Sequence, residues 1–420
     1  MISLKKLSLP GGGDAWKAAT SIFLFSRFLI FICTYMGWSR FLVNNPVYGQ
    51  ELHECWNHLS LCLQSWNQFD ARYFVGIAHD GYGAYTDYAG YDPQRPYATA
   101  FFPLYPLLVR GVGFLFGGSL SADYIASLLV ANLCFFFALI LLYCLVRSDC
   151  GSSIAQQSLF FLAFGPFAIF FFLGYSESLF LLLSLGVLLL LRRGRPVDWW
   201  LAGFCGAGAV LTRGTGIVLL LAFAVAFLQH FWPMLQAWLG RRYSIFKEGR
   251  WQEMLNALLP MGFLPLALGG YMLYLWINWH DPLLFSHGEE HLWGRHLTWP
   301  WMGSVEAVQN LLFTTSGRDA RNLTDLIFTM GPLAIVIFGW RRLPLDYIVF
   351  SLAIAIFSLM YPWPGHALAS APRFLLVMFP VGVMLALWSK RPMVRKVFEV
   401  IWITFFVMNT LLFVLWNWVG

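Results

Sequence analysis

Ala100-Phe101-Phe102-Pro103-Leu104-Tyr105-Pro106-Leu107-Leu108-Val109-Arg110-Gly111-Val112-Gly113-Phe114-Leu115-Phe116-Gly117 is the stretch on which the topology of this chain turns. A membrane-spanning helix needs about 20 mainly apolar residues. Eleven other stretches qualify with soft edges: 19–42, 122–146, 154–173, 176–192, 198–212, 214–231, 254–279, 322–340, 344–361, 373–389 and 397–417. Lysine and arginine accumulate on the cytoplasmic side of membranes. The basic clusters here are Lys5/Lys6, Arg192/Arg193/Arg195, Arg241/Arg242/Lys247/Arg250, Arg341/Arg342 and Lys390/Arg391/Arg395/Lys396. If 102–117 crosses the bilayer, the cluster at 192–195 and those after it fall on the wrong side. If it lies on the outer surface, every cluster becomes cytoplasmic. Pro103, Pro106, Gly111 and Gly113 suit a bent surface helix better than a span. The expectation is an all-α polytopic membrane protein, residues 1–420 forming a single integral membrane domain with about eleven spans. Its N-terminus is inside and its C-terminus outside, and its first extracytoplasmic loop, 43–121, carries a juxtamembrane helix.

Composition bounds the rest. The 420 residues are 59% apolar and 11% charged, against about 25% charged in soluble domains. The net charge of +6 sits mostly in short loops and reads as an orientation signal, so no nucleic-acid partner is expected. Aromatic residues make up 18% and suit interfacial belts and sugar or lipid contacts. The first apolar run is long enough to remain as an anchor rather than a cleaved signal. No low-complexity segment or short-period repeat is present. The seven cysteines form no CxxC pair, which leaves zinc and thioredoxin-like readings unsupported. Cys55 and Cys62 share one polar loop and are a candidate disulfide if that loop faces an oxidising compartment; otherwise they are two ordinary thiols.

With this topology the outer face holds the long loop, the Tyr175-Ser176-Glu177-Ser178 turn, a short turn at Arg213, and loops 280–321 and 362–372. Segments 198–212 and 214–231 are short or broken by glycine, as in helices that line a cavity. The loop contains Phe69-Asp70-Ala71-Arg72-Tyr73-Phe74-Val75-Gly76-Ile77-Ala78-His79-Asp80-Gly81-Tyr82. Asp70 read alone is an exposed loop acid or the N-cap of a helix over 71–79. Surrounded by Trp66, Phe69, Tyr73 and Phe74, it becomes a carboxylate that shielding can tune as a general base. Arg213, flanked by apolar segments and glycines, reads either as a phosphate contact or as an interfacial arginine reaching lipid headgroups. Arg373 opens an outer helix end against the charge bias and is the second phosphate candidate, with His366 as a weaker polar neighbour. Glu177 caps a helix, pairs with an arginine or touches the acceptor, and capping is the safest of the three. His287-Gly288-Glu289-Glu290-His291 has histidines at i and i+4 but lacks the HExxH order, and a solvated outer helix is the better reading. Arg27, within the first span, is expected to serve helix packing.

Taken together, these residues resemble the PIG-V family of the C-type glycosyltransferase (GT-C) superfamily. Phe69-Asp70-Ala71 with Ile77-Ala78 and Gly81-Tyr82 is similar to the family's Trp-Asp-Ala…Ile-Ala…Gly-Tyr signature. Phe101-Phe102-Pro103 and Pro106-Leu107 resemble its Phe-Phe-Pro…Pro-Leu continuation, and Tyr175-Ser176-Glu177-Ser178 its Tyr-Ser-Glu-Ser turn. Thr212-Arg213-Gly214, then Arg373-Phe374 with Phe379-Pro380, are similar to its later elements. The five motifs occur in order over about 66–380. Phe69 stands where the family has Trp, which keeps an aromatic wall and loses an indole N–H donor.

The resemblance implies a GT-C fold and an inverting transfer of a sugar, mannose being the usual one. The donor is a polyprenyl or dolichyl phosphate and the acceptor a hydroxyl of a glycolipid or glycan, with membrane lipids as surroundings. Asp70 would be the catalytic base and Arg213 and Arg373 the donor-phosphate ligands. Phe69, Tyr73, Tyr82, Phe102, Tyr175, Glu177 and His366 make up the expected substrate-contacting set. No cofactor and no obligatory metal are expected: no DxD motif or nucleotide-binding glycine loop is present, and arginine can neutralise a monophosphate. The site would face away from the cytoplasm, in a bacterial plasma membrane rather than the endoplasmic reticulum. The main rival is a lipid or glycolipid flippase, which would show internal repeats and paired broken helices; no repeat is visible here. A membrane acyltransferase would need a histidine-centred site, and a non-catalytic assembly subunit would release no polyprenyl phosphate from a loaded donor.

Overall fold

The computed structural model describes residues 12–40, 59–83, 96–239, 250–313 and 319–420. Cys55 and the basic residues Lys5, Lys6, Arg241, Arg242 and Lys247 lie outside the described residues. Cys62 is disulfide-bonded, while Cys33, Cys134, Cys144, Cys150 and Cys205 are free; the expected pairing of Cys62 with Cys55 therefore reaches outside the described set. The elements are helical throughout: α1 (Gly12–Arg40), α2 (Leu59–Trp66), α3 (Asp70–Asp80), α4 (Leu104–Leu115), α5 (Leu120–Cys150), α6 (Ser152–Ala163), α7 (Glu177–Arg193), α8 (Pro196–Thr212) and α9 (Leu219–Leu239). The second half continues with α10 (Arg250–Leu258), α11 (Phe263–Trp279), α12 (Leu284–Trp293), α13 (Met302–Phe313), α14 (Asp319–Gly339), α15 (Leu345–Leu359), α16 (Ala371–Phe374), α17 (Pro380–Trp388) and α18 (Pro392–Val414).

The local chemistry sets the boundaries. Ser119 accepts a hydrogen bond from the Ala122 amide at 3.2 Å and starts α5. Pro196 opens α8 in the first turn, where its missing N–H costs nothing. Gly194, left-handed at φ 64°, ends α7 and returns its amide to Leu190 O. α5 packs against α1, α4, α6 and α7, and α7 against α8. Arg27 is buried in this bundle, as packing predicts: its guanidinium donates to Asn132 Oδ1 at 2.7 Å and to the Phe171 carbonyl at 2.9 Å.

The stretch at 102–117 folds as α4, whose 12 residues reach about 18 Å, short of a hydrocarbon core of about 30 Å. It does not span. Tyr105, Pro106, Val109 and Gly113 are buried against the bundle, while Leu107, Phe114 and Leu115 are exposed. Gly113 is needed there: a Cβ would lie 2.0 Å from Asp123 Oδ1.

The expected count of eleven spans is not reproduced. Six described helices are long and apolar enough to cross a membrane, or seven if the pair Ala371–Val377 and Pro380–Trp388, bent by 77°, counts as one. Segment 154–173 is α6 followed by a break at Gly165-Pro166 and a 3-10 turn, Ala168–Phe171; residues 164–173 are all buried. Segments 176–192, 198–212 and 344–361 become helices of 17, 17 and 15 residues. Hydropathy cannot separate burial in lipid from burial in protein, and irregular backbone at that depth is tolerated where protein covers it.

Candidate active site

Asp70 is the first residue of α3, and its position is fixed from behind. The preceding residue, Phe69, has φ 55° and ψ −127°, a conformation that costs on the order of 1–3 kcal/mol for a non-glycine residue. Surrounding contacts enforce it. Gln68 donates to Phe413 O at 2.6 Å and accepts at its own carbonyl from the Tyr175 hydroxyl at 3.1 Å. Asn67 is held by Ser127 at 2.6 Å, and Gly174 passes so close that a Cβ would meet Asn67 Oδ1 at 2.1 Å. The Phe69 ring packs against Phe413, Trp416 and Trp418. The Phe69-Asp70 corner and the Tyr175–Glu177 turn are thereby clamped side by side. Among the described non-glycine residues, positive φ occurs at Phe69, His280, Ser370 and Trp416; three of these four lie on or beside the site.

The clamp opens onto a cavity of 680 Å³, within the range of small-molecule sites. Asp70 Oδ2 lies 2.6 Å from Arg373 Nη1. Glu177, 1% exposed, places Oε1 2.8 Å from Arg213 Nη1 and 3.4 Å from Arg373 Nε. Glu177 pairs with arginine and also sits in the first turn of α7, where the capping reading places it; its other oxygen, Oε2, makes no hydrogen bond. A third arginine, Arg295, is 94% buried by its side chain, donates to Ala369 O at 3.3 Å and leaves Nε without a partner. The three guanidiniums surround one ring: Arg213, Arg295 and Arg373 stand 4.9, 5.3 and 4.9 Å from the Phe374 centroid. The aromatic face attracts each cation. The lining holds Arg72, Arg213, Arg295, Arg321 and Arg373 against Asp70, Glu177 and Glu289, an excess of positive charge suited to an anionic ligand.

Phe69, Tyr73, Phe102, Tyr175, Glu177, Arg213, His366, Arg373 and Asp70 all line this one cavity. Gly214 faces Phe102, where a Cβ would touch the ring at 3.1 Å, so the Arg213 turn and the Phe-Phe-Pro turn close on each other. Tyr175 contributes wall rather than a free hydroxyl, since its hydroxyl is bound to Gln68 O. Tyr82 needs correction. It follows Gly81 at φ 84°, which turns the chain away after α3. It is absent from the lining, and its hydroxyl donates to Phe101 O at 2.6 Å. Tyr82 supports the wall from behind.

The sequence reading missed Glu289, Arg295, Trp293 and Trp418, which also line the cavity. Burial raises the Glu289 carboxyl above its ordinary range, and burial lowers Arg295 despite the neighbouring Glu289. Arg295 carried the signal that singled out Arg373, a basic residue on the side the charge bias assigns to the outside. Glu289 was within reach too, because Phe285, Glu289 and Trp293 repeat at the spacing of one helical face. Among the described residues no group of three His, Cys, Asp or Glu side chains is arranged to hold a metal.

Comparison with known proteins bears on this geometry. The chain is similar in structure to ArnT from Cupriavidus metallidurans in the apo state, at 15% identity and TM-score 0.49 over 83% of this chain and 62% of that one. The same protein bound to undecaprenyl phosphate gives TM-score 0.47 at 15% identity, with the same 83% and 62% coverage. The apo oligosaccharyltransferase of Archaeoglobus fulgidus gives TM-score 0.45 at 12% identity over 94% of this chain and 55% of that one. The chain thus spans between about half and three-fifths of the length of these proteins. No curated protein matches it. The family model for Mannosyltransferase (PIG-V) matches residues 20–313, which covers α3, α7, α8 and α12 and so most of the cavity wall; the chain belongs to the PIG-V mannosyltransferase family, a family of glycosyltransferases.

Proposed function

We propose that the cavity moves a sugar, mannose in the first instance, from a polyprenyl or dolichyl phosphate to a hydroxyl of a glycolipid or glycan acceptor, with inversion at the anomeric carbon. The observation that carries this reading is the charge chain Asp70–Arg373–Glu177–Arg213 in one wall, with distances of 2.6, 3.4 and 2.8 Å. In the proposed step the acceptor oxygen forms a bond to C1 as the bond from C1 to the phosphate oxygen breaks. The acceptor proton passes to Asp70, and the lipid phosphate leaves. Arg213 and Arg373 bind that phosphate and offset the charge that grows on it. Arg373 also holds the Asp70 carboxylate in place before the donor arrives. As the phosphate draws on the same guanidinium, the carboxylate is released toward the acceptor. Strain at Phe69 fits a residue that must hold its neighbour at a set place against relaxation. The distribution of basic loops supports a site on the extracytoplasmic face, and short connections favour a bacterial plasma membrane over the endoplasmic reticulum.

The test is Asp70→Asn in the purified protein. The amide keeps the shape and cannot take the proton. Turnover of polyprenyl-phosphate mannose should fall by about 10²–10⁴, with donor affinity retained or raised because a negative charge beside the phosphate is gone. Turnover within about threefold of the parent would remove Asp70 from the role.

A further inference from the structure

Helix α12 meets the cavity with a single stripe: Phe285, Glu289 and Trp293 all line it, at i, i+4 and i+8. The helix is locked in that orientation. At Gly288 a Cβ would lie 2.6 Å from the Tyr97 carbonyl, so only glycine lets α12 seat on the turn Tyr97–Ala100. His291 stacks flat on Tyr97, with centroids 3.9 Å apart and planes at 16°. The stripe is thus a built wall of the cavity and not a solvated face.

Glu289 is its polar member, and its state differs from that of the other two acids. Asp70 and Glu177 have arginine nitrogens at 2.6 and 2.8 Å. The Glu289 carboxylate has its nearest cation, Arg295 Nη1, at 3.9 Å, beyond hydrogen-bond range. A carboxylate enclosed by a wall yet open to the cavity accepts several hydrogen bonds and needs donors to offset its desolvation. Beside it stands an aromatic panel. Tyr73 and Phe101 stack at 4.6 Å and 15°, and Trp293 meets Phe101 edge-on at 5.6 Å. A ligand that suits both has a flat C–H face for the rings and vicinal hydroxyls for the acid, which describes a pyranose. An anionic group would be repelled, and an apolar one would leave the acid without donors.

We propose that Glu289, with Trp293 and Tyr73 beside it, is the subsite that binds the hydroxyls of the transferred sugar. This rests on reading the cavity as a glycosyl-transfer site. It adds to Asp70, Arg213 and Arg373 the group that tells a sugar-loaded lipid phosphate from a bare one. Glu289 is a specificity determinant in this role and takes no proton in the transfer.

Equilibrium binding to the detergent-solubilised protein tests it with three probes: polyprenyl-phosphate mannose, bare polyprenyl phosphate and methyl α-D-mannopyranoside. In Glu289→Ala the loaded donor should bind about tenfold or more weakly, bare polyprenyl phosphate should bind as before, and saturation-transfer NMR signals from the glycoside should disappear. Glu289→Gln, which keeps hydrogen-bonding capacity, should recover part of the loss. A parallel weakening of loaded and bare lipid would mark Glu289 as structural and overturn the proposal, as would unchanged affinity for the loaded donor. If neither lipid binds the parent protein, the glycosyl-transfer reading is what fails. The glycoside then decides: a signal absent from the parent, or equally strong in Glu289→Ala, sinks the subsite.

Discussion

Helix α7 carries a charge cluster at each end, about 22 Å apart by helix rise, and the two are built on different terms. At the Arg192 end all three guanidinium nitrogens donate. The guanidinium forms two parallel hydrogen bonds with Asp346 at 2.9 Å each and a third with Asp149. The Tyr347 hydroxyl donates to Asp149 at 2.7 Å, and the Tyr347 ring lies 4.6 Å below the cation. At the Glu177 end one carboxylate oxygen is shared by two arginines, its twin is idle, and Arg373 Nε and Arg295 Nε lack hydrogen-bond partners. A protein that buries charge for stability satisfies it fully; charge left under-satisfied in a cavity is waiting for a ligand. The Arg192 cluster ties together the ends of α5, α7 and α15. The Glu177 cluster gives up such closure for capacity.

The comparison breaks most visibly if the Arg192 end is cut. Asp346→Ala removes one partner of a buried pair and should destabilise by about 3 kcal/mol, seen as a lower melting midpoint in detergent. Turnover per folded molecule should hold, since the site is at the far end of α7. Lost turnover with an unchanged midpoint would erase the distinction.

Cutting the open end should do the reverse. Arg213→Ala removes a charge-assisted contact worth about 1.5–3 kcal/mol to a bound phosphate, so donor affinity should fall by about tenfold or more. The melting midpoint should move less than in Asp346→Ala. Lysine at 213 should restore part of the affinity, having the charge without the planar fork. Full donor affinity in Arg213→Ala would remove it from the phosphate site.

The smallest effect concerns Glu289. Burial holds its carboxyl above the ordinary value of 4.5, so the folded chain keeps a proton that the unfolded chain has already lost. This contribution to stability is full below 4.5 and is lost as pH rises through the folded value. Glu289→Gln should flatten that part of the melting profile and raise the midpoint at neutral pH. A profile identical to the parent's would mean that the acid is already well partnered, as Asp346 is.

The contrast also explains what the amino-acid sequence could and could not disclose. Arg213 stood out because an ionisable residue amid apolar ones is costly and so conspicuous, Asp70 through its aromatic neighbours, and Arg373 as a charge against the topological bias. Glu289 and Arg295 carried weaker signals, a helical spacing and a charge against the bias, in a loop with other charges, and folding of α12 against Tyr97–Ala100 is what turns Glu289 inward. Tyr82 is a similar case: nearness in sequence to Asp70 does not bring it into the lining, and its hydroxyl is bound to Phe101 O. The long helices α1, α5 and α18 followed from hydropathy. The break after α6 did not, since Phe164 to Leu173 is as apolar inside protein as it would be in lipid.

The ring of Phe374 has one more consequence. With guanidiniums at 4.9, 5.3 and 4.9 Å from its centroid, it works like the spacer of a capacitor, a low-polarity body among like charges. Arg213 and Arg373 share Glu177, while Arg295 stands nearest Glu289. The field inside the cavity is therefore charged up before any substrate enters. In the proposed reaction the phosphate passes from one negative charge to two as the sugar departs, and it would do so into a potential already set to receive the second.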